Sequence, residues 1–205
     1  MECLKGRNFA IVDVETSGTS PARSRVIEIG ILRIEDGVCV ETFHTCINPQ
    51  DFVPQWIFDL TGLEPSEIEV APLFEDVIDT LERLFDNAIF VAHSASFDLG
   101  FVQSEFARLE RTFSPKVLCS VRLSRMLSPH ARSHSLSALI QRHRFACKAR
   151  HRAFDDAHVV WQFLQLAARK HTSRLPAVMD FLLKKKSARR SWVPSAEYRD
   201  EAVIQ

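Results

Sequence analysis

Acidic side chains recur at three separate places in the chain, and at the third a histidine stands beside them. Asp13 and Glu15 end the apolar run "NFAIVDVE", and Asp98 follows the apolar run "AIFVA". The segment "HRAFDDA" places His151 ahead of two adjacent aspartates. Carboxylates gathered at one place bind hard divalent cations, and a neutral histidine can accept a proton near pH 7. The chemistry therefore depends on whether the fold brings these segments together.

The first pair of acids lies at the end of a predicted strand over residues 8–14. Because side chains alternate along a strand, one face is apolar throughout, while the other begins apolar and ends in Asp13 and Glu15. A strand this apolar is expected at the centre of a sheet. Buried carboxylates there cost much free energy unless cations pair with them. Its carboxyl end is also where open α/β sheets place their sites. Taken alone, the pair is better explained as exposed acids at a fraying strand end, and only the acids elsewhere in the chain favour a site.

Asp98 follows a short predicted strand over residues 88–92. It falls in the first turn of a predicted helix over residues 97–109, for which Ser94 or Ser96 is the expected N-cap. The helix dipole alone would favour a carboxylate at this position. Asp98 alone is therefore no evidence of a site, and it becomes a candidate only because the other acids are present as well.

The apolar spacing of residues 153–170 predicts a helix, and its phase separates the two adjacent aspartates. With Ala157 at the centre of the apolar face, Asp155 lies about 160° away and Asp156 about 100° away. Asp155 is therefore expected to face solvent, whereas Asp156 can reach a site beside the sheet. His151 precedes the helix, in the loop.

The remaining patterns give the architecture. Two further strands are predicted over "SRVIEIGILRIE" and "VCVETFHTCI", joined by a hairpin turn at Asp36-Gly37. Helical spacing covers residues 73–85, with shorter helices over 120–127 and 135–142, and "KVLCS" is a fifth strand candidate. Three strands in a meander followed by alternating helices and strands predict an α/β fold, with a five-stranded mixed sheet flanked by helices. That order fits a ribonuclease H-like layer.

Composition excludes several classes of protein. The chain has 205 residues, 46% of them hydrophobic, with formal net charge zero, which is typical of one soluble α/β domain with or without a tail. No apolar run approaches the roughly 18 residues of a membrane span, and the N-terminus lacks a signal-peptide pattern. The five cysteines are widely spaced without C-x-x-C. This favours free thiols in a reducing compartment, and we expect a cytoplasmic protein.

The zero net charge hides a strong asymmetry along the chain. Residues 34–110 contain sixteen Asp and Glu but only two Arg, whereas residues 111–152 contain ten Lys and Arg, four His and no acid. This second segment, the basic block, could be ordinary solvated surface. Its density of cations favours a phosphate backbone as partner.

Taken together, these segments resemble the DEDDh 3′–5′ exonuclease family, which includes the epsilon proofreading subunit of bacterial DNA polymerase III. The matching motifs are "IVDVETSG", "RVIEIGILRI", "HSASFDLGF" and "HRAFDDA", and "LTGLEPSEI" resembles the family segment after the third strand. The resemblance covers about residues 7–169. It implies four catalytic carboxylates that bind metal and a histidine general base: Asp13, Glu15, Asp98, Asp156 and His151.

Two positions depart from the family pattern. Ser94 stands where Asn is common, and Ser120 stands where Asp is frequent. Because that Asp is not one of the catalytic carboxylates, we expect altered local hydrogen bonding at Ser120 and not lost activity. Four further positions match residues that in the family approach the terminal nucleotide: Thr16, Leu60, Thr61 and Phe97.

The resemblance implies a metal-dependent exonuclease that releases nucleoside 5′-monophosphates from DNA 3′ ends, most readily single-stranded or mismatched ones. Four carboxylates without a thiolate suit two Mg²⁺ or Mn²⁺ ions better than zinc. The alternatives are a 3′–5′ exoribonuclease and the exonuclease part of a longer repair nuclease. A non-catalytic module that binds nucleic acid ends is less favoured, because all five catalytic positions carry the expected residue types.

The composition changes after about residue 170. We expect an exonuclease domain over residues 1–170, followed over residues 171–205 by the short amphipathic helix "LPAVMDFLLKK" and the basic "KKKSARR". The helix either packs on the domain or serves as a docking segment. The tail weakly resembles the linker in bacterial chains that fuse this module to a GIY-YIG nuclease. Expected partners are therefore single-stranded DNA 3′ ends and a DNA polymerase or an associated nuclease, but no membrane.

Overall fold

A computed structural model of the chain describes residues 2–184 and contains a five-stranded mixed sheet. The strand order is β3-β2-β1-β4-β5, with antiparallel pairing from β3 to β1 and parallel pairing from β1 to β5. The predicted α/β architecture is confirmed, and the strand that ends in Asp13 and Glu15 lies at its centre. The strands are β1 (Asn8–Thr16), β2 (Val26–Glu35), β3 (Val38–Cys46), β4 (Ile89–Ala92) and β5 (Lys116–Cys119).

Helices cover both faces of this sheet, and each helix predicted up to residue 170 is found within one residue at either end. Two short helices after β3 were not predicted, because five to seven residues are too few for a clear helical period. Within residues 2–184, no helix combines the length and apolar character that a membrane span requires. The helices are α1 (Gln55–Thr61), α2 (Pro65–Glu69), α3 (Phe74–Phe85), α4 (Ser96–Arg108), α5 (Ser120–Leu127), α6 (Leu136–His143), α7 (Ala153–Lys170) and α8 (Leu175–Lys184), with a 3₁₀ turn at Glu2–Leu4.

Two local expectations have different outcomes. The turn between β2 and β3 places Asp36 at φ 50° and Gly37 at φ 79°, as a tight hairpin turn requires, so the predicted hairpin is confirmed. The predicted serine cap of α4 is wrong, because its N-cap is Ala95, without a side-chain cap hydrogen bond. The chain turns at Ser94 with φ 60°, and the carbonyl of Ser94, not a hydroxyl, accepts the N–H of Phe97 at 2.9 Å.

The alternation of β1 divides the core into two layers. Phe9 and Ile11 face α5, α6, α7 and α8, whereas Ala10 and Val12 face α3 and α4. Asp13 and Glu15 continue the phase of Phe9 and Ile11, so they lie on the face that α7 covers. The strand period therefore directs both carboxylates toward the helix that carries Asp156.

The end of the described chain packs against the same core as α7. Helix α8 buries Leu175, Val178, Met179 and Leu182 there. The predicted amphipathic helix thus lies on the domain as described to residue 184, while the rest of the basic stretch falls outside the described residues. The division of the chain at about residue 170 stays a prediction.

Candidate active site

The predicted site residues come from four separate segments and meet at the carboxyl end of β1. Asp98, in the first turn of α4, accepts a hydrogen bond on Oδ1 from the backbone N–H of Val14 at 3.3 Å. Asp156 lies in the first turn of α7 and Glu15 at the end of β1. Ligand atoms of Glu15, His151 and Asp156 all lie within 4.8 Å of one another. The fold therefore gathers acids that are as much as 143 positions apart in the sequence.

The two adjacent aspartates occupy different environments, as the helical phase predicts. Asp156 is 4% exposed and its Oδ2 accepts the backbone N–H of His151 at 3.3 Å. Asp155 is half-buried, and its Oδ2 accepts the backbone N–H of Ala149 at 3.2 Å. The expectation that Asp155 simply faces solvent is thus incomplete, because its carboxylate also supports the loop before α7.

The carboxylates are held in conditions that oppose their ionisation. Burial, reinforced by the neighbouring acids, raises the pKa of Asp13 and of Glu15 well above the ordinary values. Burial also raises the pKa of Asp98 to about 7. Within residues 2–184, Asp98 Oδ2 and Asp156 Oδ1 are buried and have no hydrogen-bond partner. Buried oxygens of this kind, in a set made only of carboxylates, are suited to hard divalent cations.

Arg150 is a member of the cluster that the sequence patterns did not single out. Its guanidinium Nη1 pairs with Asp156 Oδ2, and its charge opposes the rise in pKa of Asp13 and Glu15. In the sequence it counted only as one of ten cations in the basic block. Its position immediately before His151 was the available signal.

Glu28 on β2 is a second residue that was missed. It is fully buried on the same sheet face as Glu15, its cross-strand neighbour. Its carboxylate accepts Arg152 Nε at 2.9 Å and the N–H of Ala153 at 2.8 Å, and it lies 2.7 Å from His44 Nε2. Burial raises its pKa, but these partners outweigh it, so the pKa of Glu28 is lowered. An acid inside the apolar strand "VIEIG" was the signal.

Close backbone packing fixes the same region. A Cβ added to Gly30 would lie 2.5 Å from Phe154 N and 2.6 Å from the carbonyl carbon of Ala153. Only glycine therefore allows β2 to approach the start of α7 this closely. Glu28 and Gly30 together set where the first turn of α7 lies against the sheet.

The positions predicted to approach a terminal nucleotide differ in accessibility. Thr16 and Thr61 are buried, and their hydroxyls donate to the carbonyls of Gly18 at 2.7 Å and Ile57 at 2.9 Å. Leu60 is 36% exposed, whereas Phe97 is 6% exposed and its ring centroid lies 4.9 Å from that of Phe101. The substrate role of these four residues stays a prediction.

A polar pair lies beside the site, between a residue just after β4 and the first residue of α5. Ser120, one of the two departures from the family pattern, is fully buried and its Oγ lies 2.8 Å from His93 Nδ1. Burial lowers the pKa of His93 to about 3, so this imidazole is neutral near pH 7. Where the family frequently has Asp, this chain thus has a neutral serine that forms a hydrogen bond with a neutral histidine.

Comparison with known proteins identifies the family. Residues 10–164 match a family model described as exonuclease. The chain belongs to the exonuclease family. This exonuclease chain is 35% identical over 150 residues to the 3′–5′ exonuclease DinG of Staphylococcus epidermidis, covering 73% of the chain and 17% of the relative. It is 35% identical over 149 residues to the PolC-type DNA polymerase III of Caldanaerobacter subterraneus subsp. tengcongensis, covering 73% and 11%.

These relatives are much longer than the exonuclease chain, which spans 17% or less of their length. Among solved structures it resembles exonuclease X in complex with 5′-overhanging duplex DNA, with TM-score 0.66, 21% identity, and coverage of 85% and 99%. It also resembles E. coli exonuclease I in complex with a dT13 oligonucleotide, with TM-score 0.72, 19% identity, and coverage of 85% and 43%. At these identities the likeness concerns the fold, and it confirms the predicted ribonuclease H-like architecture.

Proposed function

We propose that the chain is a 3′–5′ exonuclease that hydrolyses phosphodiester bonds at DNA 3′ ends and releases nucleoside 5′-monophosphates. The observation that carries this proposal is the meeting of buried Glu15, Asp98 and Asp156 with His151 at the carboxyl end of β1. Membership of the exonuclease family supports hydrolysis. The relatives named 3′–5′ exonuclease and DNA polymerase III favour this polarity and DNA as substrate.

The carboxylates would hold two divalent cations, Mg²⁺ or Mn²⁺. Asp13, Glu15, Asp98 and Asp156 form the proposed ligand set. Their pKa values are raised, first by burial, and this supports a need for positive charge nearby. When bound, the cations would supply the charge that stabilises the developing negative oxygens of the phosphodiester. The hard oxygen ligands favour these ions over zinc.

His151 is the proposed general base. It precedes α7 with φ 59°, and the hydrogen bond from its backbone N–H to Asp156 fixes the loop beside the carboxylates. In its neutral form an imidazole can take the proton of an attacking water. The DEDDh subtype assignment depends on this role for His151.

The terminal nucleotide would lie near the end of β1 and contact Thr16, Leu60, Thr61 and Phe97. Of these four, Leu60 offers the most accessible apolar surface. Because the named relatives are several times longer, we propose that the activity operates beside a polymerase or a second nuclease. Residues 1–170 would form the catalytic domain and residues 171–205 the connection to that partner.

The proposal is tested with oligonucleotides labelled at the 5′ end: single-stranded DNA, paired and mismatched duplexes, and RNA. With Mg²⁺ or Mn²⁺, the DNA should shorten stepwise from the 3′ end, with release of nucleoside 5′-monophosphates. Preferential shortening of RNA would establish an exoribonuclease instead. Binding without cleavage in either metal would identify a non-catalytic module.

Adjacent aspartates provide a matched pair of variants. Asp156→Asn removes a proposed ligand and should reduce the cleavage rate by at least about 10³-fold, whereas Asp155→Asn, which can still accept the N–H of Ala149, should stay within about threefold of wild type. Equal loss in both variants would contradict the assigned roles.

A further inference from the structure

Arg150 is the cation that lies within the carboxylate cluster. It belongs to the loop before α7, and its guanidinium pairs with Asp156 Oδ2. The Asp156 side chain is 5% exposed and that of Arg150 27%, so the contact joins a buried carboxylate to a guanidinium that solvent partly reaches. The neighbouring Arg152 is directed elsewhere, to Glu28. Arg150 therefore supplies positive charge where the buried acids most need it.

The position of Arg150 conflicts with a divalent cation at the same carboxylate. The Oδ2 of Asp156 already accepts both the guanidinium of Arg150 and the backbone N–H of His151. Two cations that share one buried carboxylate repel each other strongly, since the local dielectric constant is low. Asp156 Oδ1 is buried and has no hydrogen-bond partner in residues 2–184. A divalent cation bound at Oδ1 would therefore share one carboxylate with Arg150, which pairs with Oδ2.

A displaced Arg150 needs another anion. Its guanidinium matches the two oxygens of a phosphate, and its long side chain projects from a loop. On the function proposed above, a phosphodiester comes to this cluster whenever substrate binds. Arg150 can therefore pair with Asp156 before substrate binds and with a substrate phosphate afterwards.

We propose that Arg150 exchanges between Asp156 and a substrate phosphate, and so couples the binding of divalent cations to the binding of nucleotide. In the free protein Arg150 competes with the cation. Nucleotide gives Arg150 an alternative anion and thereby strengthens cation binding. By thermodynamic reciprocity the cation strengthens nucleotide binding by the same factor.

The test measures Mn²⁺ affinity by isothermal titration calorimetry, with and without thymidine 5′-monophosphate, for four proteins. These are wild type, Arg150→Gln, Arg150→Lys and the control Lys148→Gln, which removes an exposed cation two positions away. Without nucleotide, Arg150→Gln should bind Mn²⁺ roughly tenfold more tightly than wild type, as expected when one competing charged hydrogen bond is removed. Arg150→Lys and Lys148→Gln should stay within about threefold of wild type.

Nucleotide supplies the decisive comparison. It should tighten Mn²⁺ binding several-fold in wild type and much less in Arg150→Gln. Because loss of Arg150 exposes the acids to one another, the metal-free variant should also melt at a lower temperature but gain more from Mn²⁺ than wild type. This second readout keeps the test valid for a destabilised variant.

The failures are distinguishable. If wild type binds Mn²⁺ but Arg150→Gln binds it equally or less tightly, or if nucleotide has the same effect on both, the exchange is wrong and the proposed exonuclease site stands. If wild type binds no Mn²⁺, the metal-dependent function fails, and the exchange fails with it.

Discussion

The carboxylate of Glu28 accepts the backbone N–H of Ala153 at 2.8 Å and so joins the sheet to the first turn of α7. That turn carries Asp156, three positions after Ala153. The same carboxylate accepts Arg152 Nε at 2.9 Å. One fully buried acid, outside the proposed ligand set, therefore fixes the start of the helix on which the site depends.

Replacement of Glu28 by Gln should weaken this attachment. The amide keeps the size of the side chain but turns one acceptor into a donor, which faces Arg152 if it replaces Oε1 and the N–H of Ala153 if it replaces Oε2. We expect a loss of about 1–3 kcal/mol in the free energy of unfolding and a fall of about 10- to 100-fold in kcat, because Asp156 is displaced. Urea unfolding and steady-state cleavage measure the two effects.

The control for this variant is Glu35→Gln. Glu35 ends the same strand and pairs with Arg33, but it is exposed. Its replacement should change stability by less than about 0.5 kcal/mol. If both variants behave alike, the attachment through Glu28 does not position the helix.

Gly30→Ala should disturb the same contact by steric means. The new methyl group would overlap backbone atoms of Ala153 and Phe154 at 2.5–2.6 Å, and a backbone cannot move aside as a side chain can. We expect a loss of at least about 2 kcal/mol in the free energy of unfolding. Circular dichroism during thermal melting would record it.

Gly100→Ala is the matched control for this substitution. Gly100 lies within α4, and its added Cβ would meet only the side chain of Pro21 at 3.4 Å. Because alanine favours helices, we expect no loss and up to about 1 kcal/mol of gain. A destabilised Gly100→Ala protein with an unaffected Gly30→Ala protein would contradict the packing described for α7.

The pH dependence of stability follows from Asp98. Its pKa is raised to about 7 in the folded protein, against about 3.9 in an unfolded chain, so folding takes up a proton between these values. The stability that this group contributes is therefore fully present below about pH 4 and is lost as the pH rises toward 7. With EDTA present, Asp98→Asn should match wild type near pH 4 and exceed its stability by roughly 1 kcal/mol more for each pH unit up to 7.

This comparison separates Asp98 from His93. Burial lowers the pKa of His93 to about 3, so its contribution has the opposite sign and is lost as the pH falls below about 6.5. Since both proteins contain His93, the difference between their curves removes its contribution and reports Asp98 together with its effect on the neighbouring acids. A difference that does not change with pH would show that Asp98 is ionised throughout.

Sequence periodicity predicted correctly which way a side chain faces within a single strand or helix. The two-residue alternation of β1 placed Asp13 and Glu15 on one face, and the helical phase of α7 separated Asp156 from Asp155. These results depend only on neighbours along a single strand or helix. That the acids of separate segments form one site was predicted from the resemblance to a family and not from periodicity.

Periodicity could not reveal the contacts that join elements. Glu28 and Ala153 are 125 positions apart, and only the approach of α7 to β2 makes them partners. The pairing of Arg150 with Asp156 depends on how the loop before α7 folds back. The prediction of a serine cap for α4 failed for a similar reason. The backbone conformation at Ser94 determines the turn, and the capping preference of serine does not.

The basic block provides the last prediction. Several cations of the block pair with acids outside it, among them Arg111 with Glu82, Arg150 with Asp156 and Arg152 with Glu28. Arg144, by contrast, is exposed in the loop that leads to His151. Exposed cations of the block such as Arg144 are expected to contact phosphates, so binding of single-stranded DNA should weaken as salt rises, with a slope near −0.7 for each contact in a plot of log affinity against log salt.

Fluorescence anisotropy in EDTA, where cleavage is suppressed, measures this slope. Arg144→Gln should make it shallower by about 0.7, because one phosphate contact is lost. Arg111→Gln removes the same charge from a residue already engaged with Glu82 at 3.0 Å and should leave the slope unchanged. Affinity of the wild-type protein that barely changes with ionic strength would instead identify the basic block as ordinary surface.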